Sequence, residues 1–306
     1  MDVATVTATT SVLSAIATLA VVGRFWARKL KKQQHGNDDW TSLASLVIMW
    51  ALAGVTLKGT SMGIYGSREL DVSKPNEDLE MKDVEQLISK YNFVKCILLI
   101  AGLGLVKLSV VFLYRRIFKV VKPFHLYSIG LIILLSAWAI GFLLANLFQC
   151  GTRLWALWKS NAAMLRYCKA SAPASYGFVV SDIVTDVLVL VSPIPIVWHM
   201  KVSTSRKFGI TGLFALGTLS TAAACGRMYT FLEARQRAKS PWQMESELAI
   251  WALIELSVAV LAACLPVMRP LFQSGNWVGS AFMTRPSLSH HAGQKGNEQW
   301  VEINNV

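Results

Sequence analysis

Six charged side chains interrupt otherwise apolar stretches of this chain, and their types and spacing are suited to acid/base chemistry. These residues are Lys95, Lys107, Asp182, Asp186, Arg227 and Glu255. Asp182 and Asp186 stand four positions apart, so an α-helix would present both carboxylates on one face. When two carboxyl groups share a site, one can hold a proton that the other lacks, which suits general acid and base roles. We predict Asp182, Asp186 and Glu255 as the candidate catalytic residues.

The stretches that carry these charges are long enough to cross a lipid bilayer. The hydrocarbon core of a bilayer is about 30 Å thick, which takes about 20 helical residues to span. Seven apolar stretches of this length occur at 3–22, 40–58, 88–113, 124–147, 177–200, 208–229 and 248–268. Backbone polar groups in lipid must be satisfied within each segment, so each stretch is predicted to be helical. The sequence therefore predicts an all-α, seven-transmembrane helix bundle over residues 1–271 and a disordered, polar cytosolic tail at 272–306.

The composition agrees with a multi-pass integral membrane protein. Hydrophobic residues make up 54% of the chain and charged residues 16%, whereas soluble chains carry about 25% charged residues. The net charge of +12 comes largely from basic residues beside the apolar stretches, where they meet lipid head groups. We therefore expect the lipid bilayer as a partner and no nucleic acid. The sequence leaves the plasma membrane and internal membranes both open as the location.

The distribution of basic residues predicts the orientation of the bundle. Short loops after the first, third and fifth stretches are rich in Lys and Arg, and such loops remain in the cytosol. This places the N-terminus outside or in the lumen and the C-terminus in the cytosol. The basic segment at 114–119 is a candidate contact for a cytosolic partner.

Charges within the bilayer indicate a polar site inside the bundle. Burying one there costs at least about 2.5–3.5 kcal/mol, so such side chains face the interior and pair. The three positive and three negative charges can neutralise each other, either as a static network of salt bridges or as the wall of a ligand or catalytic pocket. We predict that Lys107 forms a structural ion pair. We predict ligand binding for a set of six residues, which includes Trp251 because it lies one turn before Glu255. That set is Lys95, Asp182, Asp186, Arg227, Trp251 and Glu255.

Two of the five cysteines flank the loop between the fourth and fifth stretches, on the predicted oxidising side. Cys150 and Cys168 are candidates for a disulfide that closes this loop, with Cys96 as the rival partner for either. Cys225 and Cys264 suit packing roles inside helices. No spacing of cysteines and histidines resembles a zinc site, so we expect no bound metal.

Five segments, in order along the chain, resemble the fungal rhodopsin-like family of seven-helix membrane proteins. They are KLSVVFLYRRIF (107–118), FQCGTRLW (148–155), DIVTDVLVLVSPIPIVWHM (182–200), ALGTLSTAAACGR (215–227) and WALIELSVAVLAACLPVMRPL (251–271). The resemblance implies a seven-helix fold, a fungal source and a place in a secondary-metabolite pathway. It also implies that the charges at 107, 182, 186, 227 and 255 occupy positions typical of the family.

The chain departs from this family, and from retinal pigments, at identifiable residues. The segment MGIYGSREL (62–70) lacks the histidine common there in the family, and Thr152 stands where a proline is common. The last apolar stretch has Glu255 as its single charge and no lysine to hold retinal. We therefore expect no light-driven pumping and no cofactor.

Three functions remain open at this point. The first is a receptor-like or accessory protein that binds a lipophilic small molecule in an outer pocket. The second is a membrane-embedded acid/base enzyme, such as an isomerase or cyclase, acting on a lipophilic pathway intermediate. A transporter ranks third, because the seven stretches show no clear internal repeat.

Overall fold

A computed structural model describes residues 2–66, 77–118, 122–151, 153, 155–159, 167–169, 171–195, 204–237 and 241–273. Within these residues it contains helices and no strands. The seven long helices are α1 (Val3–Leu30), α2 (Asn37–Ser61), α3 (Glu77–Ile117), α4 (Lys122–Leu147), α6 (Ser171–Val191), α7 (Thr204–Arg237) and α8 (Pro241–Gln273), and a short helix α5 (Ala156–Lys159) lies between α4 and α6. The predicted all-α, seven-helix fold is confirmed. Most of the predicted tail lies outside the described residues.

Within the described residues, six of the long helices contain a stretch that is long and apolar enough to span a membrane. They are α1, α2, α3 over Gln86–Ile117, α4 over Phe124–Leu147, α6 over Pro173–Val191 and α8 over Gln243–Met268. Helix α7 has 34 residues, which exceeds the length needed to cross a bilayer. It packs against α6 within the bundle. The chain is therefore a multi-pass integral membrane protein.

Helix ends differ from the predicted spans where charge or proline is involved. Helix α1 continues eight residues beyond the predicted end at residue 22 and carries Arg24 and Arg28, which we had placed in a loop. Helix α6 ends at Val191, well before residue 200, and Ser192 and Pro193 form a turn directly after it. Proline has no backbone N–H and its ring clashes with the preceding turn, so it stops the helix there.

Helix α3 occupies a central place in the bundle, with α2, α4, α5 and α6 as its neighbours. Its Leu103 is buried in the main apolar core together with Met49 of α2 and Leu256 of α8. Small residues allow the close approaches: a Cβ at Gly102 would lie 3.0 Å from the Leu256 side chain. Because lipid tails are as apolar as leucine, packing of this kind, rather than hydrophobicity, brings membrane helices together.

A disulfide joins Cys150 and Cys168, as predicted, across a sequence separation of 18 residues. Both half-cystines are buried together with Ala156 and Leu157 of the loop, and Phe93 of α3 packs against them. Cys96, the rival partner, is a free thiol. The disulfide therefore fixes the loop that contains α5 against the end of α3.

We predict that removing this disulfide lowers the stability of the bundle. In the chain-entropy model, a loop of this length contributes about 3 kcal/mol to the free energy of unfolding. The double variant Cys150→Ser with Cys168→Ser should therefore unfold at a lower temperature in scanning fluorimetry of detergent-solubilised protein. Cys225→Ser, which removes an exposed free thiol, is the control and should leave the unfolding temperature unchanged. Labelling of Cys150 and Cys168 by iodoacetamide without prior reduction would contradict the assignment.

Candidate functional site

Lys107 of α3 lies among three acceptors from α6. Its ammonium donates hydrogen bonds to Asp182 Oδ1 at 2.7 Å, to the Asp182 carbonyl oxygen at 3.0 Å and to Thr185 Oγ1 at 2.7 Å. It also lies 3.0 Å from Asp186 Oδ1. On another side, Nζ lies 4.7 Å from the centroid of the Trp138 ring, which adds a cation–π contact. The two aspartates lie on one face of α6, and both form ion pairs with Lys107.

Arg227 of α7 connects this arrangement to α8. Its Nη2 atom lies 2.9 Å from Asp182 Oδ2 and 3.3 Å from Glu255, and its guanidinium carbon lies 5.0 Å from the centroid of the Phe178 ring. Asp182 therefore bridges Lys107 and Arg227 with its two carboxylate oxygens. We call the five charged residues the central network; its members are Lys107, Asp182, Asp186, Arg227 and Glu255.

The central network carries more carboxylates than cations. Three acids face two bases, which leaves a formal excess of one negative charge. Asp182 and Glu255 have no solvent-exposed surface, and Arg227 is 3% exposed. Because a buried charge without a partner is strongly destabilising, the balance of these five groups governs the stability of the bundle.

Lys95 lies outside the central network. Its Nζ pairs with Glu245 Oε2 of α8 at 2.6 Å, and the Asn92 amide donates to Glu245 Oε1 at 3.1 Å. The lysine also lies 5.8 Å from the ring centroid of buried Tyr65, and burial raises the pKa of that phenol. We missed Glu245 because the last predicted span began at residue 248, whereas α8 begins at Pro241.

A cavity of about 550 Å³ opens between α3, α4, α6, α7 and α8, and Leu157 of the disulfide-closed loop contributes to its wall. Its polar wall includes the Lys95–Glu245 pair and Arg227, and its aromatic wall includes Phe178 and Phe231. Pockets for small molecules in proteins have volumes of about 300–1,000 Å³ and combine apolar walls with a few placed polar groups. The cavity has the size and composition of such a pocket.

The predicted site residues have three different relations to the cavity. Lys95 and Arg227 line it, whereas Asp182 and Glu255 are absent from its described lining and lie behind Arg227. Asp186 lines a separate small cavity of about 50 Å³ together with Lys107. Trp251 packs over Gly226 of α7, where an added Cβ would lie 2.6 Å from its ring. Its position fits packing between α7 and α8.

A second buried network, which we did not predict, joins the C-terminal end of α1 to the N-terminal end of α2. Arg24 donates to Asp38 at 2.6 Å, to Asp39 at 2.7 Å and to the Ala263 carbonyl oxygen of α8 at 2.6 Å. Arg28 donates a hydrogen bond to Asp38 at 2.6 Å, and Arg116 of α3 lies 3.3 Å from Asp38. The signal for this network was the Asp38–Asp39 pair at a helix N-terminus, shortly after a basic segment.

Among the described residues, no group of three or more His, Cys, Asp or Glu side chains is arranged to hold a metal ion. The carboxylates of the central network instead face Lys107 and Arg227. These side chains can take part in ion pairing, hydrogen bonding and proton transfer.

Residues 23–274 match the family model described as the fungal rhodopsin domain. The chain belongs to this family. It is 26% identical to "Polyenoic acids biosynthesis gene cluster protein Ba17b" of Metarhizium anisopliae, over 86% of this chain and 72% of the relative. It is 27% identical to "Phomoidride biosynthesis cluster protein H" of a fungal species, over 83% of each chain. It is 24% identical to "Receptor GIN3" of Arthrobotrys oligospora, over 85% of this chain and 60% of the relative. No solved structure matches the chain.

The charge balance of the central network predicts different changes in stability when a base is removed and when an acid is neutralised. Lys107→Met leaves three buried carboxylates with one cation and should lower the free energy of unfolding by about 3–5 kcal/mol. Glu255→Gln keeps the shape of the side chain and equalises acids and bases, so the stability should be unchanged or higher. Fluorescence-detected size exclusion after heating would measure both variants. Equal losses for both would contradict the charge-balance account.

Proposed function

We propose that this chain is a receptor-like or accessory membrane protein that binds a lipophilic small molecule of a fungal secondary-metabolite pathway. The observation that carries the proposal is the cavity of about 550 Å³ with its aromatic wall and its paired charges. A pathway role is supported by the relatives, since the names of two of them refer to fungal biosynthesis clusters.

Arg227 physically links the cavity to helices α6 and α8. It lines the cavity and at the same time pairs with Asp182 of α6 and Glu255 of α8. A molecule that contacts Arg227 would change the strength of these pairs, and a ligand shifts a conformational equilibrium only through such differential contacts. The C-terminal end of α6 and the N-terminal end of α7 adjoin a loop that is predicted to be basic and cytosolic. A cytosolic partner would detect the change at this loop.

The relative from Arthrobotrys oligospora is named a receptor, which supports a receptor-like role. A receptor role requires a ligand site and a second surface that responds to it. The cavity is the proposed ligand site, and the predicted basic cytosolic loops, at 114–119 and after α6, are the candidates for the second.

Co-purification tests whether the cavity is occupied in the cell. We expect a small molecule, at about one per protein, in organic extracts of tagged protein purified from the producing fungus and analysed by mass spectrometry. Ala174→Trp places an indole on a cavity-lining position of α6 and should abolish this molecule.

Gly177→Trp is the matched control, since it adds the same side chain one turn away, where a Cβ at Gly177 would meet no atom within 4 Å. It should retain the molecule. If no compound is enriched in unaltered protein over the Ala174→Trp variant, the binding function is wrong.

A membrane-embedded acid/base enzyme is the second candidate, and one observation favours it. Glu255 Oε2 is buried and accepts no hydrogen bond, although it lies 3.3 Å from Nη2 of Arg227, in a network that already has a surplus carboxyl group. Such a group could hold and release a proton toward a bound intermediate. The obstacle is distance, because Glu245 is the one carboxylate among the described residues that line the cavity.

Metabolite profiles separate the two candidates. For a receptor or accessory protein, Asp186→Asn and Glu255→Gln strains with normal protein levels should accumulate no single discrete intermediate, whereas deletion of the gene should lower all products and the pathway transcripts together. Accumulation of one discrete intermediate in the deletion strain and in either carboxyl variant would instead establish an enzyme that uses that carboxyl group.

A further inference from the structure

The two arginines at the C-terminal end of α3 have different surroundings. Arg116 lies 3.3 Å from Asp38 and 3.7 Å from Asp39, so acids of α2 compensate its charge. Arg115 instead contacts a second basic residue, because its Nη2 atom lies 2.8 Å from Nε2 of His125 in the first turn of α4. Among the described residues, Arg115 forms no ion pair with an acid.

The contact between Arg115 and His125 determines which groups remain for a ligand. A guanidinium carries hydrogen-bond donors and no acceptor, so Nε2 of His125 accepts this hydrogen bond and the imidazole is neutral. His125 thereby orients the guanidinium and uses one of its N–H groups. The remaining N–H groups belong to a planar fork that matches the oxygens of a phosphate. Arg115 therefore keeps its charge and part of its fork for an anion.

The sequence around Arg115 offers no acid to neutralise it. The segment 115–125 contains four Lys or Arg residues and no Asp or Glu. No acidic residue occurs anywhere between Glu85 and Asp182, which includes all of α4 and most of α3. An anion from outside the chain would supply the missing negative charge.

Aromatic packing between α3 and α4 holds Arg115 beside His125. The rings of Phe118 and Phe124 are both buried and meet edge to face, with their centroids 5.4 Å apart. Phe118 follows Arg115 by three residues, and Phe124 directly precedes His125, so this contact fixes the two basic side chains relative to each other. The pair is therefore formed before any ligand binds.

The Arg115–His125 pair lies at the edge of the lipid-facing surface. The candidate membrane span of α4 begins at Phe124, and the next apolar residues, Leu126 and Tyr127, are 75% and 48% exposed. Tyrosine is typical of the interface between lipid tails and water, which is the level of the head groups. These exposed neighbours favour a lipid over an acidic protein segment. Our predicted orientation places this end of the bundle in the cytosolic leaflet, where anionic lipids are enriched.

We propose that Arg115 and His125 form a binding site for the phosphate group of an anionic phospholipid. The guanidinium of Arg115 donates hydrogen bonds to the phosphate oxygens, and His125 keeps it in position. An acyl chain of the same lipid lies along α4, where Leu126, Ile133 and Ile140 are exposed. These three residues are spaced by seven positions and therefore form one stripe that leads away from the pair. The site is separate from the cavity and does not depend on the binding function proposed above.

Native mass spectrometry of the full chain in detergent tests this site with two lipids. Phosphatidylglycerol is anionic, whereas phosphatidylcholine has the same phosphate and acyl chains but adds a cationic group. Because a charge-assisted hydrogen bond is favourable only where the charge is compensated, the first phosphatidylglycerol should bind about tenfold more tightly than phosphatidylcholine. Arg115→Lys keeps the charge and removes the planar fork, and should lower this preference to about twofold. Arg115→Gln should abolish it.

Two variants that remove an exposed positive charge elsewhere are the controls. Lys31→Gln alters the C-terminal end of α1, in a segment that is also predicted to be cytosolic, and Arg153→Gln alters the segment beyond the other end of α4. Both should keep the full preference for phosphatidylglycerol, because neither residue contacts the pair.

Three results would overturn the proposal. Equal losses in Arg115→Gln and Lys31→Gln would show diffuse attraction to the whole basic surface instead of a site. Full preference in both Arg115 variants would place the lipid elsewhere. Equal binding of the two lipids to unaltered protein would show that the site takes no anionic lipid and would leave the basic segment at 114–119 to a cytosolic protein. This last comparison needs no variant, so a variant that fails to fold does not prevent the test.

Discussion

The cost of charge in a bilayer is the constraint on which this structure depends. Asp182 is fully buried in a helix that lies within a candidate membrane span, and it is stable there because Lys107 and Arg227 each take one of its oxygens. These two partners come from α3 and α7, and Arg227 adds Glu255 of α8. Since apolar surfaces gain little from meeting each other in lipid, such polar pairs determine which helices are neighbours.

The two buried networks share helices α3 and α8, and this arrangement leaves room for the cavity. Arg24 binds Asp38, Asp39 and the Ala263 carbonyl oxygen, and Arg116 extends this second network to α3. The cavity lies toward the other end, where the Lys95–Glu245 pair also joins α3 to α8. Its walls are therefore held by ion pairs on α3 and α8, by the disulfide-closed loop at α5, and by Arg227 on the side of the central network.

The sequence was sufficient to predict the helices and the burial of the five charges of the central network, because both follow from hydropathy and from the rarity of charge in lipid. It also grouped Lys95 with these charges, whereas Lys95 pairs with Glu245. It was insufficient for charges near helix ends, which look like loop residues until the helix boundaries are known. Arg24 and Glu245 are of this kind: α1 and α8 extend beyond their apolar stretches and carry these residues into buried positions. A pocket beside the intramembrane charges was predicted, but its lining and volume could not be, because they depend on how five elements pack rather than on any one of them.

The position of Arg227 also bears on whether the central network could catalyse a reaction or transmit ligand binding to the helices. A general acid must come within hydrogen-bond reach of the atom that it protonates. Asp182 and Glu255 are held by Arg227 on the side away from the described cavity lining, so a bound molecule meets the guanidinium before either carboxyl group. A contact with the guanidinium alters the pairing of α6 and α8 without any proton transfer. This geometry therefore favours the proposed receptor-like function over the proposed acid/base enzyme.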